Sequence, residues 1–145
     1  MADTLVFIDS DVTVDLLAKR ENFAAAAELF QMIDDGYVDG CTTPVALANI
    51  DYIVTKYSNK NKARTALRAL LKRISVLTMD HTTAQMAMDS EFSDFEDAMQ
   101  YFAAEKGAVD FIITRNTKDY SKGSITILTA EQFIELHGSS AEPEA

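Results

Sequence analysis

Near its start the chain reads Leu5-Val6-Phe7-Ile8-Asp9-Ser10-Asp11, a stretch that changes abruptly from apolar to acidic. Its first four residues are apolar and rich in strand-forming side chains, and they predict a short buried strand. The polar residues that follow predict the passage from that strand into a helix. Asp9 therefore lies at the carboxyl end of a buried strand, where an ionised carboxylate is costly unless it is paired or bound to a metal ion.

Strands and helices alternate along the rest of the chain. Further strands are predicted at residues 38–42, 74–79, 111–114 and 124–128. Helices are predicted at residues 12–19, 22–35, 44–57, 62–73, 82–88, 94–106 and 130–136. This alternation is typical of a mostly parallel sheet with helices on both faces. The sequence thus predicts a three-layer α/β protein with a sheet of about five strands.

The length and composition indicate one globular domain. A chain of 145 residues can bury one continuous core but is too short for two well-built ones. Hydrophobic residues make up 48% of the chain and charged residues 25%, which is the balance of a folded protein. Residues 138–145 are small, polar and acidic. We therefore expect a domain spanning residues 1–137, followed by a disordered acidic tail.

The sequence shows no sign of a membrane or an oxidising compartment. No segment approaches the ~20 apolar residues that cross a bilayer, and no basic stretch precedes a long apolar run. Cys41 is the single cysteine, so it has no partner for an internal disulfide or a zinc cluster. A small buried apolar role suits it better than that of a catalytic thiol. We expect a cytoplasmic protein.

Acidic residues cluster where a ligand would bind. In open parallel sheets the ligand crevice lies beyond the carboxyl ends of the strands. Asp9 ends the first strand, Asp119 follows the fourth, and Asp94 and Asp97 lie three apart at the start of a helix, so they share a face. Hard carboxylate oxygens suit Mg²⁺ or Mn²⁺ better than Zn²⁺. Such ions activate water and stabilise the reacting oxygens of a phosphodiester. The alternative is that Asp94 and Asp97 merely cap a helix.

Four segments, in this order, resemble the PIN domain family. They are residues 6–12 (VFIDSDV), 43–52 (TPVALANIDY), 94–98 (DFEDA) and 113–120 (ITRNTKDY). The resemblance covers nearly the whole chain up to about Leu136. It implies a doubly wound parallel sheet, a ribonuclease activity that depends on Mg²⁺ or Mn²⁺, and often the role of toxin in a bacterial toxin-antitoxin pair.

The resemblance also implies roles for individual residues. The catalytic and metal-binding acids would be Asp9, Asp97 and Asp119, with Asp94 as a further metal ligand typical of one branch. Thr114 and Asn116 match polar positions beside them. The family usually has a glutamate where this chain has Asn49, and an amide lacks that charge, so metal affinity should fall. Other members with the DFEDA segment resemble this chain in having the asparagine, and Asp94 can compensate for it.

The formal net charge of −10 opposes the binding of RNA. Proteins that hold nucleic acid non-specifically usually present a basic face. Metal ions, a local basic strip or a basic partner would have to offset the acids. The candidates for RNA contact are Arg64, Arg68, Lys72 and Arg73 on the predicted helix at 62–73, with Arg115 after the fourth strand. More often, a basic helix of this kind is a solvated surface without a ligand.

Two other functions compete with the nuclease. Asp9-Ser10-Asp11-Val12-Thr13 also fits the segment of haloacid dehalogenase-type phosphatases, in which Asp9 would be the nucleophile and Asp11 the general acid. That family leaves the later segments unexplained. The second alternative is a PIN-like binding module that has lost efficient catalysis, which the net charge and Asn49 favour.

The partners are implied by the resemblance alone. Relatives are often homodimers, and toxin members are held inactive by a small antitoxin that lies near the acidic site. An antitoxin arginine that enters a carboxylate cluster is physically sensible, because charge-assisted hydrogen bonds are strong. We therefore expect an RNA substrate, a homodimer and an antitoxin partner.

Overall fold

The computed structural model describes the backbone of residues 2–141 and the side chains of residues 2–138. Its strands are β1 (Leu5–Ile8), β2 (Asp39–Thr42), β3 (Ser75–Val76), β4 (Phe111–Ile113) and β5 (Thr126–Leu128). Its helices are α1 (Ser10–Leu17), α2 (Phe23–Asp34), α3 (Pro44–Tyr57), α4 (Lys60–Leu71), α5 (His81–Met88), α6 (Phe95–Lys106) and α7 (Ala130–Ala141). A short 3₁₀ helix spans Thr117–Tyr120.

The strands form one parallel sheet in the order β3-β2-β1-β4-β5. Strand β1 pairs with β2 on one side, with Val6 opposite Gly40, and with β4 on the other, with Phe7 opposite Ile112. The strand order reverses at β1, because the chain first winds outward to β3 and then returns to β4 and β5. The predicted doubly wound α/β fold is therefore confirmed. Its ligand crevice is expected at the carboxyl ends of β1 and β4.

Helices pack on both faces of the sheet, because successive residues of a strand point to opposite faces. Val6 and Ile8 are fully buried in a core cluster that also contains Phe30 of α2 and Phe133 of α7. Phe7 is buried in a second cluster with side chains of α6. The central strand is thus enclosed on both faces, which fixes Asp9 at its carboxyl end.

Helix starts follow the local sequence closely. The hydroxyl of Thr43 accepts a 3.0 Å hydrogen bond from the backbone N–H of Ala46, and Pro44 occupies the first turn of α3, as predicted. At the end of α2, Gly36 has a φ of +82°, a conformation that a residue with a Cβ rarely adopts. These signals set the helix bounds on either side of β2.

Several predicted boundaries differ from the structure. Helices α1 and α4 each begin and end two residues earlier than predicted. The third strand, predicted at residues 74–79, is confined to Ser75–Val76, an exposed edge strand paired with β2. The fifth strand begins at Thr126, not at residue 124. Helix α7 continues to Ala141, so residues 138–141 are helical where we expected a disordered tail. Gly138 and the small residues after it do not end the helix, since each can adopt helical backbone angles. The remainder of that predicted tail, residues 142–145, lies outside the described residues.

Within residues 2–141, no helix has both the length and the apolar content needed to cross a bilayer.

Candidate active site

The four predicted acids meet at the carboxyl ends of β1 and β4. Asp9 follows β1, Asp119 lies on the 3₁₀ helix after β4, and the other two acids open α6. The carboxylates of Asp94, Asp119 and Asp9 each contribute to raising the pKa of Asp97. Because charges are screened over about 10 Å, these carboxylates lie near one another. The fold therefore brings residues that are far apart in the sequence into one acidic cluster.

Asp9 is the most buried of these four acids, with 8% of its surface exposed. Its Oδ1 accepts a 2.8 Å hydrogen bond from the N–H of Ser10 at the start of α1. Its Oδ2 accepts hydrogen bonds from the hydroxyls of Thr114, at 3.0 Å, and Tyr120, at 3.1 Å. Burial raises the pKa of Asp9, and the charge of Asp119 raises it further. The carboxylate is thus held in one orientation by three donors.

Asp94 and Asp97 combine a capping role with mutual repulsion. Asp94 is the N-cap of α6, where its Oδ2 accepts a 2.9 Å hydrogen bond from the N–H of Asp97. Burial and the adjacent charge of Asp94 raise the pKa of Asp97 to about 7. Asp94 therefore caps the helix, and the same carboxylate also lies close enough to Asp97 to raise its pKa.

Asp119 lies on the 3₁₀ helix that follows the segment Thr114-Arg115-Asn116. The amide Nδ2 of Asn116 donates a 2.9 Å hydrogen bond to Oδ1 of Asp119. Burial raises the pKa of Asp119, and the charge of Asp94 adds to this effect. Thr114 is fully buried and holds Asp9, so the segment supports two of the four acids. The predicted polar positions Thr114 and Asn116 therefore contact the predicted acids directly.

Asp11 belongs to the same region, although the PIN-type prediction did not include it. Its Oδ2 accepts hydrogen bonds from the Thr114 hydroxyl, at 3.3 Å, and from the Arg115 N–H, at 3.2 Å. Its Oδ1 is buried and has no hydrogen-bond partner among the described residues. Burial and the nearby charge of Asp9 raise the pKa of Asp11 to about 6. Its position two residues after Asp9, which the phosphatase interpretation uses, was the available sequence signal.

Asn49 forms its side-chain hydrogen bond not with one of the four acids but with Glu96, a neighbour of Asp97 on α6. Its amide Nδ2 donates a 2.9 Å hydrogen bond to Oε1 of Glu96 on α6. Glu96 lies on the exposed side of the helix, beside Asp97 in the sequence. Asn49 therefore links α3 to α6 and brings an additional carboxylate toward α3.

Sequence reasoning missed two buried polar residues that support Asp9. Tyr120 donates to Asp9, and its own hydroxyl lies 3.3 Å from Nε2 of Gln100. Both side chains are almost completely buried. Gln100 lies three residues after Asp97, on the same face of α6. A glutamine on the buried face of a helix was the signal available in the sequence.

Three of the predicted RNA-contacting residues form ion pairs. Arg115 lies 2.7 Å from Asp15, Arg64 lies 3.2 Å from Asp51, and Arg73 lies 2.7 Å from Asp34. In the part of the chain that the structure describes, the remaining two, Arg68 and Lys72, form no ion pair; they line a shallow depression with Arg73. The basic helix thus offers fewer unpaired cations than its sequence indicates.

The donor set at the cluster fits a hard divalent cation. Its carboxylate oxygens are the ligands that Mg²⁺ and Mn²⁺ prefer. Across residues 2–138, no group of three or more Asp, Glu, His or Cys side chains meets the geometry of a metal site as the side chains stand. Burial is the largest cause of the raised pKa of Asp97, and the nearby carboxylates of Asp94, Asp119 and Asp9 add to it. A cation between them would relieve that repulsion.

The family model described as "PIN domain" matches residues 5–118 of this chain. This span contains residues 43–52 and 94–98, which a haloacid dehalogenase-type phosphatase leaves unexplained, and most of residues 113–120, and it ends one residue before Asp119. The PIN family therefore accounts for more of the sequence than the phosphatase alternative does.

Curated relatives and solved structures agree with that match. Ribonuclease VapC1 of Aquifex aeolicus (strain VF5) is 25% identical over 136 residues, which cover 90% of this chain and 93% of the relative. A toxin-antitoxin complex from Klebsiella pneumoniae contains a chain with a TM-score of 0.65 and 20% identity, covering 86% of this chain and 97% of that one. Mycobacterium tuberculosis VapC20, described as a sarcin-ricin loop cleaving toxin, has a TM-score of 0.65 and 14% identity, with 81% and 95% covered. The structural likenesses at this identity establish the fold alone.

Proposed function

Because this chain belongs to the PIN domain family, we propose that it is a ribonuclease that hydrolyses phosphodiester bonds with Mg²⁺ or Mn²⁺. The observation that carries the proposal is the convergence of Asp9, Asp94, Asp97 and Asp119, whose charges act together on Asp97. The sequence relationship to a curated ribonuclease supports the same activity.

The four acids would hold the cation, which when bound supplies Lewis-acid activation of water and stabilises charge on the phosphate. The chain's own residues position these acids. Thr114 and Tyr120 hold Asp9, and Asn116 orients Asp119. Asp94 fixes the start of α6, which sets where Asp97 lies. Asp9 is buried among its donors, whereas Asp94 is exposed, so a phosphate would approach the cluster from the side of Asp94.

The proposal extends to the toxin of a toxin-antitoxin pair. Chains of the same fold have been solved in toxin-antitoxin complexes, including the one from Klebsiella pneumoniae. The net charge of −10 favours a partner that supplies cations. A small antitoxin with an arginine directed at the acidic cluster would satisfy the carboxylates and occupy the cation's place. A homodimer is proposed on the same family basis.

The second function is a PIN-like binding module without efficient catalysis. Asn49 favours it, because this amide is committed to Glu96 and brings no charge of its own to the cluster. Such a protein would keep the fold and lack metal-dependent cleavage of RNA. Metal affinity separates it from the nuclease.

The test is titration of Mn²⁺ into metal-free protein by calorimetry, with an RNA cleavage assay on the same samples. We expect the wild type to bind Mn²⁺ and to cleave RNA only with the metal, and Asp9→Asn to lose both. Asp35→Asn is the matched control, since Asp35 is an exposed acid at the end of α2, beside the opposite end of the sheet. Binding without cleavage would support the binding module, and absence of binding would refute the metal-dependent nuclease.

A further inference from the structure

A buried chain of hydrogen bonds connects the start of α3 to Asp9. The Thr43 hydroxyl lies 2.8 Å from Oε1 of Gln100, whose Nε2 lies 3.3 Å from the hydroxyl of Tyr120. That hydroxyl lies 3.1 Å from Oδ2 of Asp9. Thr43 and Tyr120 are 0% exposed and Gln100 is 2% exposed. Buried polar groups are costly unless they are hydrogen-bonded, so each link satisfies its neighbours.

The direction of donation along this chain is set by its last member. Asp9 must be ionised to hold a cation, and an ionised carboxylate only accepts, so Tyr120 then directs its single proton to Asp9. The phenol oxygen is then an acceptor for the amide of Gln100, and the Gln100 carbonyl accepts from Thr43. Thr43 in turn accepts from the N–H of Ala46 at the N-terminus of α3. Each hydrogen bond of the chain therefore has a defined donor and acceptor, and the orientation of the Gln100 amide is determined.

The two oxygens of Asp9 have different surroundings as a result. Oδ2 accepts from Tyr120 and from Thr114, which together occupy its two lone-pair positions. The Thr114 hydroxyl also lies 3.3 Å from Asp11, so its one proton is shared between two carboxylates. Tyr120 is therefore the donor committed to Asp9. Oδ1 accepts from the N–H of Ser10 and keeps one lone-pair position.

We propose that Gln100 and Tyr120 are positioning residues that hold Oδ2 of Asp9, so that Oδ1 is the oxygen available to the divalent cation. The inference rests on the proposed metal-dependent function and deepens it. Hydrogen bonds from a surrounding shell orient metal ligands, and their loss typically weakens metal affinity by about 10- to 100-fold. Gln100 would affect the cation only by orienting the Tyr120 hydroxyl, and Tyr120 only by holding Oδ2 of Asp9.

A purely structural role for Tyr120 predicts a different result, and Tyr101 provides the matched control. Tyr101 is also buried in the same core cluster. Its hydroxyl accepts from the backbone N–H groups of Ser124, at 2.7 Å, and Ile125, at 3.3 Å. Tyr101→Phe and Tyr120→Phe each remove one buried hydroxyl and keep the ring. A structural role alone would lower the melting temperature of both and leave their Mn²⁺ affinity unchanged.

The experiment measures the melting temperature and the Mn²⁺ affinity of metal-free wild type, Tyr120→Phe, Tyr101→Phe and Gln100→Met. We expect Mn²⁺ to bind at least about 10-fold more weakly to Tyr120→Phe and with wild-type affinity to Tyr101→Phe. Gln100→Met should weaken binding in the same direction, since Tyr120 loses the donor that orients it. This variant also carries the test if Tyr120→Phe does not fold.

Wild-type Mn²⁺ affinity in folded Tyr120→Phe or, failing that variant, in Gln100→Met would overturn the positioning role and leave the nuclease proposal intact. An equal loss of affinity in Tyr101→Phe would overturn it as well, because the effect would then be general to the core. Absence of Mn²⁺ binding to the wild type would overturn the metal-dependent function, and the positioning role with it.

Discussion

The guanidinium of Arg115 lies 2.7 Å from the carboxylate of Asp15, whose side chain is 1% exposed. The pair joins the segment after β4 to α1, across 100 residues of sequence. Arg115 itself is 43% exposed, so one charge of the pair reaches solvent and the other does not. Arg115, for which the sequence predicts RNA contact, therefore also stabilises the fold beside the acidic cluster by pairing with Asp15.

Arg115→Ala should lower the free energy of unfolding by about 2–3 kcal/mol, because it leaves the buried carboxylate of Asp15 unpaired. Urea unfolding followed by circular dichroism measures the change. Arg64→Ala is the control, since its partner Asp51 is 30% exposed and such surface pairs contribute at most about 1 kcal/mol. Equal losses in the two variants would contradict the assignment of a buried pair.

Metal-free protein should become less stable as the pH rises from about 4 to about 7. The pKa of Asp97 is raised from 3.8 to about 7 in the folded protein, so in this window the folded state keeps a proton that the unfolded chain has released. The unfolded state then binds fewer protons, and the free energy of unfolding falls with rising pH. Asp11, with a pKa raised to about 6, acts in the same direction.

Asp97→Asn should flatten this pH dependence and raise the melting temperature of metal-free protein at pH 8. Asp97 is only half-buried, so solvent screening reduces the repulsion that is relieved. A gain of about 1 kcal/mol would raise the melting temperature by about 3 °C in a chain of this size. Scanning calorimetry at pH 5 and pH 8 measures it. A steeper slope in the variant than in the wild type would show that Asp97 is not the group that titrates.

Asn49→Glu should destabilise metal-free protein by about 1 kcal/mol, because it replaces a donor to Glu96 with a second carboxylate. The same change adds an acid near the cluster, so the rise in melting temperature caused by Mn²⁺ should be larger than in the wild type. Melting curves with and without Mn²⁺ test both effects. The double variant Asn49→Glu/Glu96→Gln should recover the metal-free stability. A single variant as stable as the wild type would mean that the Asn49–Glu96 contact contributes nothing.

Cys41 should resist alkylation in the folded protein. Burial raises the pKa of its thiol to about 12, and the thiolate is the reactive form. Mass spectrometry after iodoacetamide treatment should show unmodified native protein and complete modification in denaturant. Rapid native labelling would contradict both the burial and the inert role predicted for this residue.

The fold could be predicted because its signals are local. The apolar run ending at Asp9, the Thr43-Pro44 start of α3 and the acids of α6 each depend on neighbouring residues. The limits of β3 could not be predicted from residues 74–79, because only the pairing with β2 shows where the edge strand ends. Local patterns place elements but do not show how far their pairing extends.

The sequence also predicts that the candidate acids of the site lie at one edge of the sheet, but not which residues hold them. Asp9 and Asp119 are predicted as site residues because each comes after a predicted strand. The roles of Tyr120 and Gln100 depend on contacts with Asp9 and Thr43 across the fold, which no local pattern contains. Arg115 is predicted to contact RNA, but it forms an ion pair with Asp15. The sequence could not show this pair, because it forms only when α1 and the segment after β4 are adjacent.

The strand order also governs when this protein can complete its core during synthesis. β1 is made first, yet one of its edges stays open until β4 emerges about a hundred residues later. Helices made earlier can pack on one side, while the exposed edge remains a template for pairing with other chains. Asp119 is made later still, after β4. A ribosome stalled before residue 111 therefore carries a chain with an unfinished sheet, and the four acids can come together only once nearly the whole domain has been translated.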